Sequence, residues 1–179
     1  MTTDEESAKY QNLTDALTWY DENSRLERAK RIDWASSLYQ SPGLISGEIV
    51  PLSMMEEARV CFVNGQHMAT ILCATSVIEH LLVAEIESAG KSSGKATLGK
   101  SIDTADKAQM YSTEVIRDLR EINELRNPLA HRRDASDSST LANRYLARKS
   151  HPDLIKEQDA RRSLEVMYKY FLQAIKPGV

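Results

Sequence analysis

The chain has 179 residues, enough for one ordinary domain or a compact core with an extension, but too few for two full domains. Hydrophobic residues make up 41% and charged residues 27%, with 7 Gly and 5 Pro, which excludes collagen-like, Pro/Gly-rich and wholly disordered chains. The net charge of −3 argues against a protein that holds nucleic acid through its overall field. Aromatic residues are few, and the abundant Ala, Leu, Glu, Arg and Lys predict an all-α fold.

The charge is distributed unevenly along the chain. Residues 1–22 hold six acidic residues and one Lys, a balance of −5, whereas residues 115–150 hold eight basic and five acidic residues, a balance of +3. Most such charges are typical of solvated helical faces. A local basic site is nevertheless compatible with the acidic total.

The N-terminal 50 residues are predicted to form an acidic helical extension. Their pattern favours a helix at about 7–20 and a second at about 24–39, with Asn23 or Ser24 as its cap. One Pro and two Gly then interrupt the helical pattern at 41–47. We place the boundary there and expect residues 51–179 to form the core domain.

Four to five core helices are predicted to form an up-and-down bundle. Apolar residues at spacings of three and four predict helices at about 53–63, 66–89, 97–107, 113–127 and 153–175. The second is apolar enough to be central, with Met68 and Leu72 on its buried stripe, and Leu154 is expected to be buried in the last. Residues 132–152 are predicted to be an inserted loop that contains a short helix at about 141–147.

The cysteines and the terminus bear on location and cofactors. Cys61 and Cys73 are expected to be buried thiols, and they lack the spacing of a disulfide framework or a metal site. The acidic N-terminus has no signal-peptide pattern, and no apolar run approaches the ~20 residues that a membrane span needs. We therefore expect a soluble cytoplasmic protein that needs no metal, no cofactor and no membrane.

The string Arg126-Asn-Pro-Leu-Ala-His131 is the most informative part of the sequence. Arg126 continues the apolar stripe of its helix, which is an unusual place for a guanidinium. Pro128 lacks a backbone donor and collides with the carbonyl four residues back, so we expect the helix to end or kink there. In an unbroken helix Arg126 and His131 would point about 140° apart around the axis. A break would allow the two side chains to converge.

At this string the sequence resembles the HEPN superfamily, small all-helical domains of which many are RNases with an Arg, four to six residues and then a His. The residues that carry the resemblance are Arg126, the polar Asn127, His131 and the preceding helix. An Ile-Glu-His-Leu-Leu run at 78–82 and an aromatic closing helix are also typical of this superfamily. The likeness covers roughly residues 51–175.

The resemblance implies metal-independent cleavage of RNA at a composite site, where two copies of the motif face each other across a homodimer. Arg126 would hold the scissile phosphate, His131 would transfer protons, and Asn127 would orient the phosphate or the histidine. The products would be a 2′,3′-cyclic phosphate and a 5′-hydroxyl. Enzymes of this kind act as toxins or phage-defence effectors and are restrained by an antitoxin or another regulatory protein.

Neighbouring residues have two interpretations each. Arg132 and Arg133 would contact flanking phosphates of the RNA, or they only make the loop soluble. Glu79 on the central helix would support Arg126 by pairing with it. Arg144, together with Arg148 and Lys149, is expected to be an ordinary surface charge.

The alternative interpretation of the motif is structural. Arg126 would then be a buried arginine paired with Glu79 or Glu124, and His131 would cap the carbonyls at the helix end. A fold does not guarantee activity. Under this interpretation the chain is a catalytically silent HEPN-like domain that acts as a protein-interaction or nucleotide-binding module.

Overall fold

The computed structural model describes residues 3–38, 49–91 and 97–174, and within these ranges it contains helices and no strand. The all-α prediction is confirmed. The helices are α1 (Thr3–Leu38), α2 (Ile49–Val63), α3 (His67–Ser88), α4 (Leu98–Lys107), α5 (Thr113–Ala130), α6 (Leu141–Arg148) and α7 (Pro152–Ala174). The chain divides into two compact units, Met1–Ser37 and Leu38–Val179.

The first unit consists of α1, which is one uninterrupted helix of 36 residues. The predicted break near residue 23 is therefore wrong. The Asn23 amide donates to the carbonyl of Trp19 at 2.7 Å, and the Ser24 hydroxyl donates to that of Asp21 at 3.4 Å. Both side chains thus bond back to the preceding turn instead of capping a new helix. The predicted breaker at 41–47 lies outside the described residues.

In the second unit, α3 is the central helix, and α2, α4, α5 and α7 all pack on it. Its length and composition would allow it to cross a membrane, but 44% of that apolar window is buried inside the protein. Contact with four helices explains why it is so apolar. Its fully covered side chains include Ile71, Ala74, Val77, Ile78, Leu82 and Ile86.

Local chemistry explains where several helices begin and end. The Ser112 hydroxyl accepts from the N–H of Val115 at 3.4 Å, which confirms the predicted start of α5. Thr140 caps α6 in the same way. Pro152 opens α7, where a missing N–H costs nothing. Gly65 adopts a positive φ of 75° after α2, as a helix stop requires.

Five of the residues predicted to be buried are not. Met68 is 46% exposed, Leu72 37% and Leu154 55%, so the described part of the chain leaves those parts of the apolar stripes open to solvent. Cys61 and Cys73 are half-buried rather than buried, although burial still raises the pKa of both thiols. The helix at 53–63 begins earlier, at Ile49. Residues 92–96 and 175 lie outside the described ranges.

A cluster of three side chains joins α3, α7 and the segment before α5. The hydroxyls of Tyr111 and Tyr170 both donate to the carboxylate of Glu85, and the two hydroxyl oxygens lie 2.8 Å apart. Burial, together with the Glu85 carboxylate, raises the pKa of both phenols well above the ordinary value. Both tyrosines therefore remain protonated donors at neutral pH.

A buried carboxylate links α5 to α7. Asp118 is 4% exposed, and its oxygens accept from Arg162 at 2.7 Å and from Lys169 at 2.9 Å. Glu121 and Glu114 on α5 complete the network by binding the same two cations. Burial raises the pKa of Asp118, but the hydrogen bonds from Lys169 and Arg162 outweigh it, so the pKa lies below the usual value.

We expect Asp118→Asn to lower the free energy of unfolding at pH 7 by about 1–3 kcal/mol, because charged hydrogen bonds in a buried site are lost. The folded pKa is depressed, so the contribution of the ionised form is fully present above the unfolded pKa of about 3.9 and is lost as the pH falls through the folded value. Urea unfolding at pH 7 and pH 3 should show the difference between variant and wild type shrinking at the lower pH.

Asp103→Asn is the matched control for this experiment. Asp103 is a 59% exposed partner of Arg120, and we expect little change in stability because exposed ion pairs contribute little. An Asp118→Asn deficit of the same size at both pH values would contradict the linkage.

Candidate functional site

The site lies at the C-terminal end of α5, which continues through Pro128 to Ala130. The helix continues for two residues past Pro128, so the predicted end at that residue is wrong, whereas the predicted kink stays a prediction. Pro128 removes one hydrogen bond, but it lies in the last turn and packs with Leu125 and Leu129 against a cleft described below. The next backbone N–H, that of His131, donates to the Asn127 carbonyl at 3.0 Å and closes the helix.

The two principal motif residues lie on either side of the end of α5. Arg126 lies in the last helical turns, and His131 is the C-cap residue with extended backbone (φ −135°, ψ 136°). Within the described ranges no hydrogen bond joins the side chains of Arg126 and His131. The convergence of the two side chains stays a prediction.

Arg126 is half-buried and makes no hydrogen bond or ion pair to any residue that the structure describes. Other half-buried arginines of the second unit differ in this respect. Arg144 binds Asp159, and Arg162 binds Asp118 and Glu121. Neither predicted structural partner of Arg126, Glu79 or Glu124, pairs with it in the described part of the chain. The guanidinium at the motif thus lacks the internal carboxylate that its counterparts have.

The remaining motif residues lie at the same end of α5. Asn127 is half-buried in the last helical turn, and His131 and Arg132 are exposed. Arg133 is also exposed, and its only described ion pair is a loose one with Asp137 at 4.0 Å. The structure therefore gathers several cationic or protonatable side chains at one end of the bundle.

Glu79 lies elsewhere. It lines an open groove of about 390 Å³ along α3, together with Met54 and His80. Ile71 faces the end of α5, and Glu79 is eight residues further along α3, about 12 Å away. The structure does not bring Glu79 to Arg126.

A cleft of about 130 Å³ lies directly beside the motif, between the end of α5, the loop at 131–140, α6 and α7. Its apolar lining comes from Ile71, Leu125, Pro128, Leu129 and Leu141. Its polar lining comes from Arg133, Ser139, Thr140, Arg144, Lys156 and Asp159. The sequence pattern did not indicate this cleft, because its walls come from distant segments.

Side-chain bonds give the loop above the cleft a defined shape. Asp134 accepts from the backbone N–H of Ser136 at 2.9 Å, and Asp137 accepts from that of Ser139 at 2.8 Å. The Asn143 amide on α6 donates to two loop carbonyls. These bonds form two successive Asx turns that set the rim of the cleft. In each turn the hydroxyl of the serine, together with its backbone N–H, lowers the pKa of the aspartate.

Arg144 and Asp159 form a bidentate ion pair at this end of the bundle. Two nitrogens of the Arg144 guanidinium each bind one oxygen of Asp159 at 2.6 Å. The side chains are 15% and 10% exposed, so the pair is shielded from solvent. The expectation that Arg144 is an ordinary surface charge is wrong. The signal that sequence reasoning missed is Asp159 itself, a carboxylate on the buried stripe of α7.

Two further findings bear on the identity of the site. Within the described ranges, no three His, Cys, Asp or Glu side chains gather in a way that could hold a metal ion. Comparison of the chain with protein-family models, curated proteins and solved structures finds no match. The residues at the end of α5 are therefore the basis for the functional proposal.

Proposed function

We propose that the chain is a metal-independent endoribonuclease of the HEPN type that acts in the cytoplasm as a homodimer. Its site would consist of Arg126, Asn127 and His131, with Arg132 and Arg133 on flanking phosphates. The observation that carries the proposal is the half-buried Arg126, which has no carboxylate partner among the described residues, at a cationic end of the bundle.

Because Arg126 has no carboxylate partner among the described residues, an outside anion can bind its guanidinium without displacing an internal one. Its planar set of N–H donors matches two oxygens of a phosphate. Arg132 and Arg133 follow the motif directly, and Arg133 has only a loose ion pair with Asp137 at 4.0 Å, so cationic donors remain for an anionic ligand. A phosphodiester supplies that anion, and Arg126 would also offset the charge that develops on it in the transition state.

His131 supplies the proton-transfer group. Its imidazole is exposed, and an imidazole can gain or lose a proton near neutral pH. The ribose 2′-oxygen would attack phosphorus while the bond to the 5′-oxygen breaks. The proton leaves the 2′-hydroxyl, and the departing 5′-oxygen receives one. The products are a 2′,3′-cyclic phosphate and a 5′-hydroxyl. This reaction requires no oxidant, metal or cofactor.

Arg126 and His131 make no hydrogen bond to each other within the described residues, and the proposal places the complete site between two copies of the chain. In a two-fold symmetric dimer, each contact between unlike residues occurs twice. Arg126 of one protomer would then face His131 of the other. A toxin or phage-defence role, restrained by an antitoxin or another regulatory protein, fits a nuclease of this kind.

The test is cleavage of a mixed RNA pool in EDTA, with analysis of the product ends. We expect the wild type to leave cyclic-phosphate ends, and Arg126→Ala and His131→Ala to leave none above background. Arg148→Ala, an exposed arginine on α6, is the matched control and should cut normally. Wild-type protein that cuts no better than the two motif variants at any salt concentration would contradict the proposal.

The unbroken α5 favours a second candidate, a catalytically silent module that binds a protein or a nucleotide at the same end. Under that function a single chain needs no convergence of Arg126 and His131. A binding partner that is retained equally by His131→Ala, with no RNA cleavage by the wild type, would favour this candidate.

A further inference from the structure

The cleft beside the motif has the form of a small ligand site. Leu125, Pro128 and Leu129 are spaced so that they share one face of α5, and they make one wall. Ile71 and Leu141 supply the other apolar surfaces. Such a lining suits a flat, weakly polar ring.

The volume limits which ring can enter. The cleft holds about 130 Å³. An apolar cavity of about 150 Å³ takes up one benzene molecule. One six-membered ring therefore fills the cleft, whereas the fused two-ring system of a purine would protrude from its open side. Among nucleobases, this favours pyrimidines.

The polar groups at the rim favour a ring that carries carbonyl oxygens. Arg144 donates to each oxygen of Asp159, which takes up part of the acceptor capacity of this carboxylate. The Thr140 oxygen accepts from the N–H of Asn143, which leaves its hydroxyl hydrogen for a ligand. Arg133 and Lys156 add further N–H donors, although Lys156 also binds Asp153 at 2.6 Å. The rim thus presents mainly donors, and both pyrimidine bases carry the O2 carbonyl as an acceptor.

The cleft adjoins the proposed phosphate site. Arg133, which lines the cleft, is two residues from His131, so at most about 7 Å separates their Cα atoms. A base in the cleft would belong to a nucleotide at, or next to, the phosphate that Arg126 and His131 contact.

We propose that this cleft binds a pyrimidine base of the RNA and so directs cleavage to phosphates that adjoin a pyrimidine. The assignment to RNA rests on the proposed endoribonuclease function. Binding of the base itself depends only on the cleft, and the two can be tested separately.

The test measures binding of uridine 3′-monophosphate and adenosine 3′-monophosphate by calorimetry. We expect the purine nucleotide to bind at least about tenfold more weakly, as for other ligands that exceed an apolar pocket. Leu141→Trp, which fills the cleft, should remove the preference. Leu146→Trp places the same side chain on the same helix at a 68% exposed position and should keep it. Circular dichroism checks that both variants fold.

The outcomes separate the two proposals. Equal binding of both nucleotides by the wild type overturns the pyrimidine site, whether or not Leu141→Trp folds, and leaves the nuclease untouched. A uridine preference that Leu141→Trp abolishes, without any RNA cleavage, supports the cleft and contradicts the nuclease. If the wild type cuts RNA, cut sites mapped by sequencing should adjoin pyrimidines, and random positions would overturn the assignment to RNA.

Discussion

Arg144→Ala is expected to lower the free energy of unfolding by about 3–5 kcal/mol, because it leaves the carboxylate of Asp159 buried without its counter-charge. Asp159 is 7% exposed and receives both of its strong hydrogen bonds from Arg144. The pair also fastens α6 to α7, since α6 has no fully buried side chain of its own. Urea unfolding at neutral pH measures the loss.

Arg148→Ala makes the same substitution on the same helix at an exposed arginine, and we expect it to change stability little. An Arg144→Met, Asp159→Leu double variant should recover most of the loss, because it removes both charges together. Equal stabilities of Arg144→Ala and Arg148→Ala would contradict the assignment of a shielded, stabilising ion pair.

His131→Ala is expected to reduce RNA cleavage by about 10²–10⁴-fold, the range for loss of a positioned acid or base. Arg126→Ala is expected to reduce it by about 10²–10³-fold, the range for loss of a donor that stabilises charge in the transition state. If the site is shared between protomers, the two inactive variants should complement each other. In a mixed dimer, one site would lose both residues while the other keeps both. With random pairing, half of the dimers would be mixed, and each mixed dimer would have one intact site out of its two. Activity should therefore return to roughly a quarter of the wild-type rate.

The complementation experiment requires denaturing and refolding the variants together, with each variant refolded alone as the control. As a second control, mixed dimers of wild type with an Arg126→Ala, His131→Ala double variant should contain no intact site. Absence of recovery in the mixture of single variants, although each elutes as a dimer, would contradict a shared site.

Local sequence signals predicted the helices. The errors in the predicted helix bounds and burial have local explanations. Ser112 and the apolar spacing after it correctly placed the start of α5. The rule that Pro ends a helix applies to helix interiors. Pro128 lies instead in the last turn of α5, where it packs with Leu125 and Leu129. The spacing on α3 identified an apolar stripe at Met68 and Leu72, but periodicity does not say which parts a neighbour covers.

The candidate site was only partly accessible from the sequence. The motif placed Arg126, Asn127 and His131 at a helix end, which is where they lie. The cleft and the Arg144–Asp159 pair join segments that are far apart along the chain, and no local pattern encodes such a meeting. The distance between Glu79 and the motif likewise depends on how α3 runs past α5. The functional role of these residues stays a prediction.

The cluster of Glu85, Tyr111 and Tyr170 lies far from the candidate site within the second unit. Glu85 lies fourteen residues from Ile71 along α3, a distance of about 21 Å and therefore beyond the Debye length at physiological salt. One end of the bundle holds this acid and its two phenols, whereas the other holds the cations around the end of α5. Substitution of those cations is therefore expected to leave the stabilising contacts of the Glu85 cluster unchanged.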